Sequence, residues 1–426
     1  MTIARERERL AHDDADASKV LRVGIVGLGY VGSSLAEAFV AVGHTVRGFD
    51  VDPDRRHAAR ARVRARGASG RFAAVATAAG LDGCDVFIIA VPTPTIDGRP
   101  ELRFVRDASR SVGAAIGPGA LVVVESTVAP GTTRTLCLPI LEAVSGMTAG
   151  TDFLLAFSPE RVNPGDALHS VRSVVKVVAG YDSASAQAAA ALYGQIAPVH
   201  LAPSLEVAEL AKLVENTQRD VNIALMNEVA RLCGALGMDW SDVLDAARTK
   251  WNFADFSPGL VGGHCIAEDP YYLLAAARSN GVALPTVAAA RETNATRAED
   301  IADAVASLQP DPAGGPVLIH GRTYKADVAD TRNAGAEQLR AALARRGYAV
   351  VIADPLTDDP LEYETTLAAL RAAPVEVALV TVVHRDERGT LEAELLNSVR
   401  EHGTIIDLTG LLSAARLPGL HLRHDG

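Results

Sequence analysis

The feature that most restricts the fold is a recurring succession: a short apolar run, a glycine-rich or polar turn, then an Ala/Arg-rich helical stretch. Such runs fall at Leu21–Val26, Thr45–Phe49, Val86–Ala90, Leu121–Glu125 and Phe153–Ala156. A strand that is apolar at successive positions needs cover on both faces, and intervening helices supply it. The pattern predicts a parallel, doubly wound α/β sheet. A second series opens after Gln309-Pro310-Asp311-Pro312-Ala313-Gly314-Gly315, a linker composition. It comprises Val317–His320, a helix around Ala336–Arg345, Ala349–Ala353, Val375–Val383 and Thr404–Leu408. Between the two series, Leu205 to about Arg297 carries helical periodicity and little strand signal. Its core, Glu206–Leu236, meets no Gly or Pro before Gly234.

The expected organisation is a solvated, flexible extension over 1–19, a doubly wound (Rossmann-like) domain over 20–203, a central helical domain with a long helix over 204–309, and a second Rossmann-like domain over 310–426. The flanking blocks share a rhythm of strand, loop, helix and strand ending in an acid, Asp50 in one and Asp354 in the other. Later strands correspond in order, DVFIIAVPT with EVALVTVVH and ALVVVEST with GTIIDLT. Chance similarity among buried strands would produce the same correspondence. Ligands of such sheets bind at the carboxyl ends of the strands, so chemistry is sought there.

Composition removes several function classes. The 426 residues are 48% hydrophobic, and 41 basic side chains against 52 acidic ones give a formal charge of −11. That balance argues against nucleic acid or an anionic membrane as partner, while leaving room for a local phosphate pocket. Cys84, Cys137, Cys233 and Cys265 are scattered, without CxxC or paired Cys/His spacing. Neither a disulfide scaffold nor a metal site fits this usage, and a reducing cytoplasm does. Met1–Lys19 has no apolar core of a secretory signal. No run approaches the ~18 apolar residues of a membrane span.

Gly27-Leu28-Gly29-Tyr30-Val31-Gly32 follows a strand and opens a helix. The first glycine permits the tight turn, the second the approach of a pyrophosphate, the third close helix–strand packing. Asp50, ending the next strand ~20 residues on, can accept both ribose hydroxyls of NAD and repel a 2′-phosphate. Arg55 and Arg56 temper that exclusion. Val91-Pro92-Thr93-Pro94 and Glu125-Ser126-Thr127 end two further strands, either beside a nicotinamide ribose or as ordinary turns. In Ser158-Pro159-Glu160-Arg161-Val162-Asn163-Pro164-Gly165, a glutamate on a rigid loop suits a general base and the arginine an anion, a surface salt bridge being the alternative. Lys212, Asn216 and Arg219 share one helical face. They form either a solvated stripe or a donor cluster for a developing oxyanion. Cys265 lies at the end of the glycine-rich Ser257–Leu273 segment, flanked by His264 and Asp269, and suits a nucleophile rather than a metal ligand. The other three cysteines suit buried packing.

GLGYVG, VPTP, ESTVAPGTT, SPERVNPGD, AKLVENTQRDVNIALMNE, PGLVGGHCIAEDPYYL and GRTYKADVADTRN occur in the order seen in the UDP-glucose/GDP-mannose dehydrogenase family, which the chain resembles from Leu21 onward. ENTQRDVNIALMNE and TKWNFADFSPGLVGGHC look most like the UDP-N-acetylglucosamine and UDP-N-acetylgalactosamine 6-dehydrogenases. The resemblance implies a four-electron oxidation of a sugar C6 alcohol to a carboxylate by two NAD, with Cys265 carrying a thiohemiacetal and then a thioester. It implies oxyanion stabilisation by Lys212 and Asn216, base catalysis by Glu160, and organisation of water or lysine by Asp269 and of water and nicotinamide by Thr127. NAD contacts are implied at Gly27, Gly29, Tyr30, Val31, Gly32, Asp50, Arg55, Thr93, Thr127 and Arg332. UDP-sugar contacts are implied at Glu160, Arg161, Val162, Lys212, Asn216, Arg219, Phe256, Gly262, Tyr324 and Lys325. A homodimer built on the long helix is implied as well.

Two departures stand out. Ala267-Glu268 replaces the small-residue-or-Pro and aliphatic pair that usually precedes the aspartate, and a carboxylate pointing at the thiol would oppose thiolate formation. Ala334 stands where the family usually carries serine, which puts NAD affinity in doubt. The alternatives are a UDP-glucose 6-dehydrogenase and, from another class, a catalytically impaired nucleotide-sugar-binding homologue.

Overall fold

A computed structural model describes residues 20–67, 69–162, 170–263, 265–356 and 360–424. The expected extension over 1–19, His264 and Asn163-Pro164-Gly165 lie outside the described residues. The chain forms two compact units, one comprising residues up to Glu215 with Tyr271–Val282, the other Asn216–Pro270 with Ala283 onward.

The first unit is built on an eight-stranded sheet. In chain order its strands are β1 (Arg22–Val26), β2 (Thr45–Phe49), β3 (Phe72–Val75), β4 (Val86–Ile89), β7 (Leu121–Val124), β8 (Leu154–Phe157), β9 (Lys176–Gly180) and β10 (Val199–Leu201), with a short hairpin, β5 (Thr95–Ile96) and β6 (Arg99–Pro100), after β4. The order across the sheet is β10-β9-β8-β7-β4-β1-β2-β3. The six strands from β3 to β8 are parallel and follow the 3-2-1-4-5-6 order of a dinucleotide-binding fold, reversing between β1 and β4. Strand β9 then joins β8 antiparallel. Successive residues of each strand supply opposite cores. Val26, Phe87, Ile89, Val122, Val124 and Leu155 enter one, while Val23, Ile25, Val86, Ile88, Val123 and Ala156 enter the other. Both faces are therefore dry, as the continuous apolar runs require.

The second unit carries a five-stranded sheet of β11 (Val317–His320), β12 (Val350–Ala353), β13 (Val375–Val380), β14 (Val399–Asp407) and β15 (His421–Arg423). Its order is β12-β11-β13-β14-β15, every pair parallel. The reversal falls between β11 and β13, so β13 occupies the place of β4, and β14 that of β7, in agreement with the internal correspondence of the sequence. This sheet has no counterpart of β3, and a bulge between Val375 and Val377 lets β14 run longer than its apolar stretch suggests. Val317, Ile319, Val377 and Leu379 face one core, and Leu318, Ala378 and Val380 the other.

The long helix α1 (Leu205–Leu236) is present as the periodicity predicts. Its first third belongs to the first unit and the remainder to the second. In the second unit Met226, Ala230 and Cys233 on this helix pack against Trp240 and Leu244 of the next, Trp240–Arg248.

Candidate active site

At the end of β1, Gly27 has φ +96°, and a Cβ there would lie 2.3 Å from the Ala90 carbonyl oxygen. A Cβ on Gly32 would lie 1.9 Å from the Gly27 oxygen, whereas one on Gly29 would meet nothing within 4 Å. Two glycines are thus demanded by packing, and the third leaves backbone open to a ligand. Gly29 is the N-cap of the helix Tyr30–Ala41, whose first turn has neither a side-chain cap nor an acidic residue. Its terminal N–H groups can therefore receive a diphosphate. Asp50 is 6% exposed. Its Oδ2 accepts from the Leu28 N–H at 2.8 Å and its Oδ1 from the Asp52 N–H at 2.9 Å. Arg55 approaches Oδ2 at 4.0 Å. A glycine cradle with an open helix end and an anchored carboxylate fits NAD.

Thr93 and Thr127 follow β4 and β7 and are half-buried. Ser126 joins their loops by donating from Oγ to the Val91 carbonyl at 2.7 Å. Buried Tyr272 donates to the Thr93 carbonyl at 3.1 Å. The motif Glu125-Ser126-Thr127 points to Ser126, whereas nothing in the sequence singles out Tyr272 as an anchor.

Glu160, after β8, is buried. Its Oε1 accepts the N–H groups of Arg161 and Val162, both at 2.7 Å. Oε2 has no hydrogen-bond partner among the described residues. Burial pushes this carboxyl up, but Lys176, the two N–H groups and Lys212 outweigh it and hold Glu160 below its ordinary value. Glu160 is thus anionic with one oxygen available to take a proton. Lys176 and Glu125 form a buried ion pair, and Tyr193 donates to Glu125 at 2.5 Å. No motif in the sequence marks Lys176 or Tyr193, because β9 and its following helix carry none. Arg161 does not stand free: it forks onto Glu215 of α1 at 2.9 and 3.1 Å.

In the second unit, Cys265 is exposed. The N–H groups of Glu268 and Asp269 bond to its carbonyl at 3.2 and 2.9 Å, closing a turn that enters the helix Asp269–Ser279. Buried Asn216 donates to buried Asp269. Asn227 clamps the backbone of Gly259 at 2.8 and 3.1 Å. Arg291 pairs with buried Asp220 at 2.9 Å and donates to the Ala267 carbonyl at 3.2 Å. The thiol loop is thus tied at both ends to helices. On α1 the buried polar row runs Lys212, Asn216, Asp220, whereas Arg219 is exposed. The i, i+4, i+8 spacing could have pointed to Asp220.

Gly262 and Gly263 lie against the loop that follows β11. A Cβ on Gly263 would be 2.9 Å from the Tyr324 ring, and one on Gly262 2.6 Å from the Asn333 oxygen. Asn333 donates to the Gly263 carbonyl at 2.9 Å. Lys325 follows on the same loop, its carbonyl accepting from Thr323 at 3.1 Å. Arg332 bonds to Asp330 at 2.9 Å. Phe256 leans on the Trp240 cluster. Glu268 is half-buried. Ala334 is the N-cap of the helix Gly335–Arg345, so the hydroxyl it lacks would have capped that helix. Asp354, the counterpart of Asp50, accepts from Arg322, Thr323 and Leu356 N–H groups and from His384. Burial pushes its carboxyl up, and these four donors hold it far below the usual range. Among the described residues Asp354 accepts from four protein donors, whereas Asp50 accepts two backbone N–H groups.

Among the described residues no helix is long and apolar enough to cross a membrane. Models of the UDP-glucose/GDP-mannose dehydrogenase family match three successive segments: the NAD binding domain over residues 21–197, the central domain over 206–296 and the UDP binding domain over 318–414. Protein CapL of Staphylococcus aureus is 37% identical over 93% of this chain and 97% of its own length. UDP-N-acetyl-D-glucosamine 6-dehydrogenase of Pseudomonas aeruginosa is 40% identical over 79% of this chain and 83% of its own. The structure of UDP-D-ManNAc dehydrogenase from Pyrococcus horikoshii superposes with a TM-score of 0.85 at 28% identity, covering 95% of this chain and 98% of that one. The chain belongs to the UDP-glucose/GDP-mannose dehydrogenase family and is an NAD-dependent nucleotide-sugar dehydrogenase acting on a UDP-sugar.

Proposed function

We propose that this enzyme oxidises the C6 hydroxyl of UDP-N-acetylglucosamine, or its galacto epimer, to the uronic acid in two successive steps. The observation that carries this reading is the exposed Cys265 thiol one turn before buried Asp269, itself bonded to Asn216. The glycine loop and Asp50 would hold NAD, which would supply the hydride acceptor for both oxidations. The Cys265 sulfur adds to the C6 aldehyde, forming an S–C bond and a thiohemiacetal. The second oxidation leaves a thioester, and water then breaks the S–C bond to release the acid and restore the thiol. Covalent capture keeps the reactive aldehyde from hydrating or escaping while the cofactor is exchanged. Lys212 and Asn216 stabilise oxygen charge as it develops. Glu160, anionic with Oε2 available, takes the proton of the attacking water.

The N-acetylglucosamine assignment is supported by the Pseudomonas aeruginosa relative. The Pyrococcus horikoshii structure favours a second reading, the manno epimer at C2. The three-part division into 20–203, 204–309 and 310–426 is retained as a functional one, supported by family models that break near the same places. A homodimer is supported by α1, where Val207, Leu210, Val214, Leu225, Leu232 and Leu236 are all at least 40% exposed and recur on one helical face. The cytoplasm, where NAD and UDP-sugars are both at hand, is the proposed location.

The test is NADH formation with UDP-N-acetylglucosamine, UDP-N-acetylgalactosamine, UDP-N-acetylmannosamine and UDP-glucose side by side. An N-acetyl group needs its own polar partners, which glucose leaves unpaired, so the best N-acetylated sugar should exceed UDP-glucose in kcat/KM by at least about tenfold. A faster UDP-glucose would overturn the substrate reading.

A further inference from the structure

Lys176 is the first residue of β9, 1% exposed, and carries its ammonium into the space beneath the loop that follows β8. Burying a lysine this deeply is costly unless its charge is matched and its protons are used. Three features meet that need. The ammonium pairs with Glu125, whose side chain is fully buried. It donates to the Pro159 carbonyl at 3.1 Å and lies 3.6 Å from Glu160 Oε2. It also lies 5.0 Å from the centre of the Tyr193 ring, whose hydroxyl binds the other oxygen of Glu125.

We propose that Lys176 is a positioning residue for thioester hydrolysis: braced by Glu125 and Tyr193, it fixes the Pro159–Glu160 backbone and keeps Glu160 anionic, so that Oε2 is ready to accept a proton. A purely structural ion pair would need only Lys176 and Glu125. The bond to the Pro159 carbonyl and the approach to Oε2 aim the same charge at the base. Burial opposes the charge on Lys176, but Glu125 and Glu160 outweigh it and hold the ammonium protonated. Burial lifts Glu125 to about 7, with Lys176 pulling the other way. Among the described residues, the groups that hold Glu160 down are Lys176, the N–H groups of Val162 and Arg161, and Lys212; Glu160 in turn raises Glu125, and the two carboxylates share the Lys176 ammonium. Tyr30 and Tyr193 also feel the charge of Glu160, and both phenols are raised, chiefly by burial.

This inference rests on the reading of Glu160 as the hydrolytic base and yields two shifts of opposite sign. In Lys176→Met the nearest cation is gone, so Glu160 becomes harder to ionise. The acid limb of the hydrolysis rate should then move up by about one pH unit or more, because an opposite charge within ~4–6 Å is worth ~1–3 units. In Glu125→Gln the competing carboxylate is gone and Lys176 serves Glu160 alone, so the limb should move down. Lys176→Arg should restore the limb in part, and KM for the UDP-sugar should stay within about twofold.

The measurement is rapid-quench release of the acid from enzyme supplied with NAD and UDP-N-acetylglucosamine, or UDP-N-acetylmannosamine if the panel selects it, from about pH 2.5 to 9, with brief pH jumps at the acid end. Limbs that stay in place while rates fall uniformly, or that move in the same direction in both variants, would overturn the role of Lys176. If Lys176→Met does not fold, the downward shift in the near-isosteric Glu125→Gln decides alone. Glu160→Gln separates the two readings. Unimpaired acid release in that variant removes Glu160 as the base, whereas an impaired release with unmoved limbs in the other variants removes only Lys176.

Discussion

Asp50→Asn isolates charge from architecture in the cofactor site. Asp50→Ala would not, because the carboxylate also accepts the N–H groups of Leu28 and Asp52 while 6% exposed. Leaving a buried N–H unpaired costs ~1–3 kcal/mol, enough to distort the glycine turn itself. Asparagine keeps an acceptor for the buried Leu28 N–H, leaves only the half-buried Asp52 N–H to bond to water, and removes the negative charge. Two unit charges ~4 Å apart at an effective dielectric constant of ~20 interact by ~4 kcal/mol, a factor approaching 10³ in affinity. Arg55, at 4.0 Å from Oδ2, offsets part of that repulsion toward a 2′-phosphate. The unmodified enzyme should therefore prefer NAD over NADP by about 10²-fold in kcat/KM, and Asp50→Asn should bring the two within about tenfold. NAD itself should lose binding through the weaker bonds to its ribose. The assay is initial-rate kinetics with each cofactor at saturating UDP-sugar, with thermal unfolding of the variant as control. Equal kcat/KM for NAD and NADP in the unmodified enzyme would refute the assignment. So would a variant that folds normally and keeps the original preference.

Three further outcomes follow from particular residues. Cys265→Ala should abolish acid formation and leave UDP-sugar binding largely intact by calorimetry, while the unmodified enzyme forms two NADH per sugar; one NADH with free aldehyde would contradict the covalent route. His424 is lifted to about 9, first by Asp407 and then by Asp239, against burial. Its folded value lies above the ordinary ~6.5, so its stabilisation is complete below that pH and lost as pH rises through about 9. Discounted for solvent, it is worth ~1–2 kcal/mol, and His424→Gln should flatten the fall in melting temperature across this window; an unchanged pH profile would exclude it. Ala334→Ser should cap the helix Gly335–Arg345 and stabilise by ~1 kcal/mol in urea unfolding. No shift of the urea midpoint would mean that the hydroxyl finds no N–H there.

The sequence by itself determined β1, β2, β4, β7 and β8 of the first sheet and β11 to β14 of the second, because a run apolar on every residue can only lie between two covered faces, whereas β3, β9, β10 and β15, near or at the sheet edges, were not read from it. Val26 and Ile25 enter opposite cores as that rule demands. It also determined the glycine turn, since Gly27 and Gly32 sit where any Cβ would strike backbone within 2.3 Å. The length of α1 was legible from its periodicity to within a residue.

What the tertiary structure decided is which polar groups face one another across large separations in the chain. Lys176 meets Glu125 from 51 residues away, and Arg291 reaches the thiol loop from 24. Neither Lys176 nor Arg291 sits in a motif, because a buried charge is selected by the groups opposite it, not by its neighbours in sequence. The row on α1 shows the same limit. Spacing alone placed Lys212, Asn216 and Arg219 together, yet burial left Arg219 in solvent and turned Asp220 inward to Arg291. Asp50 and Asp354 end equivalent strands and read alike. Only the folded chain shows Asp354 accepting from three backbone N–H groups and His384, while Asp50 accepts two backbone N–H groups among the described residues. A carboxylate's capacity for a ligand depends on how many donors already surround it, and that number is set by packing.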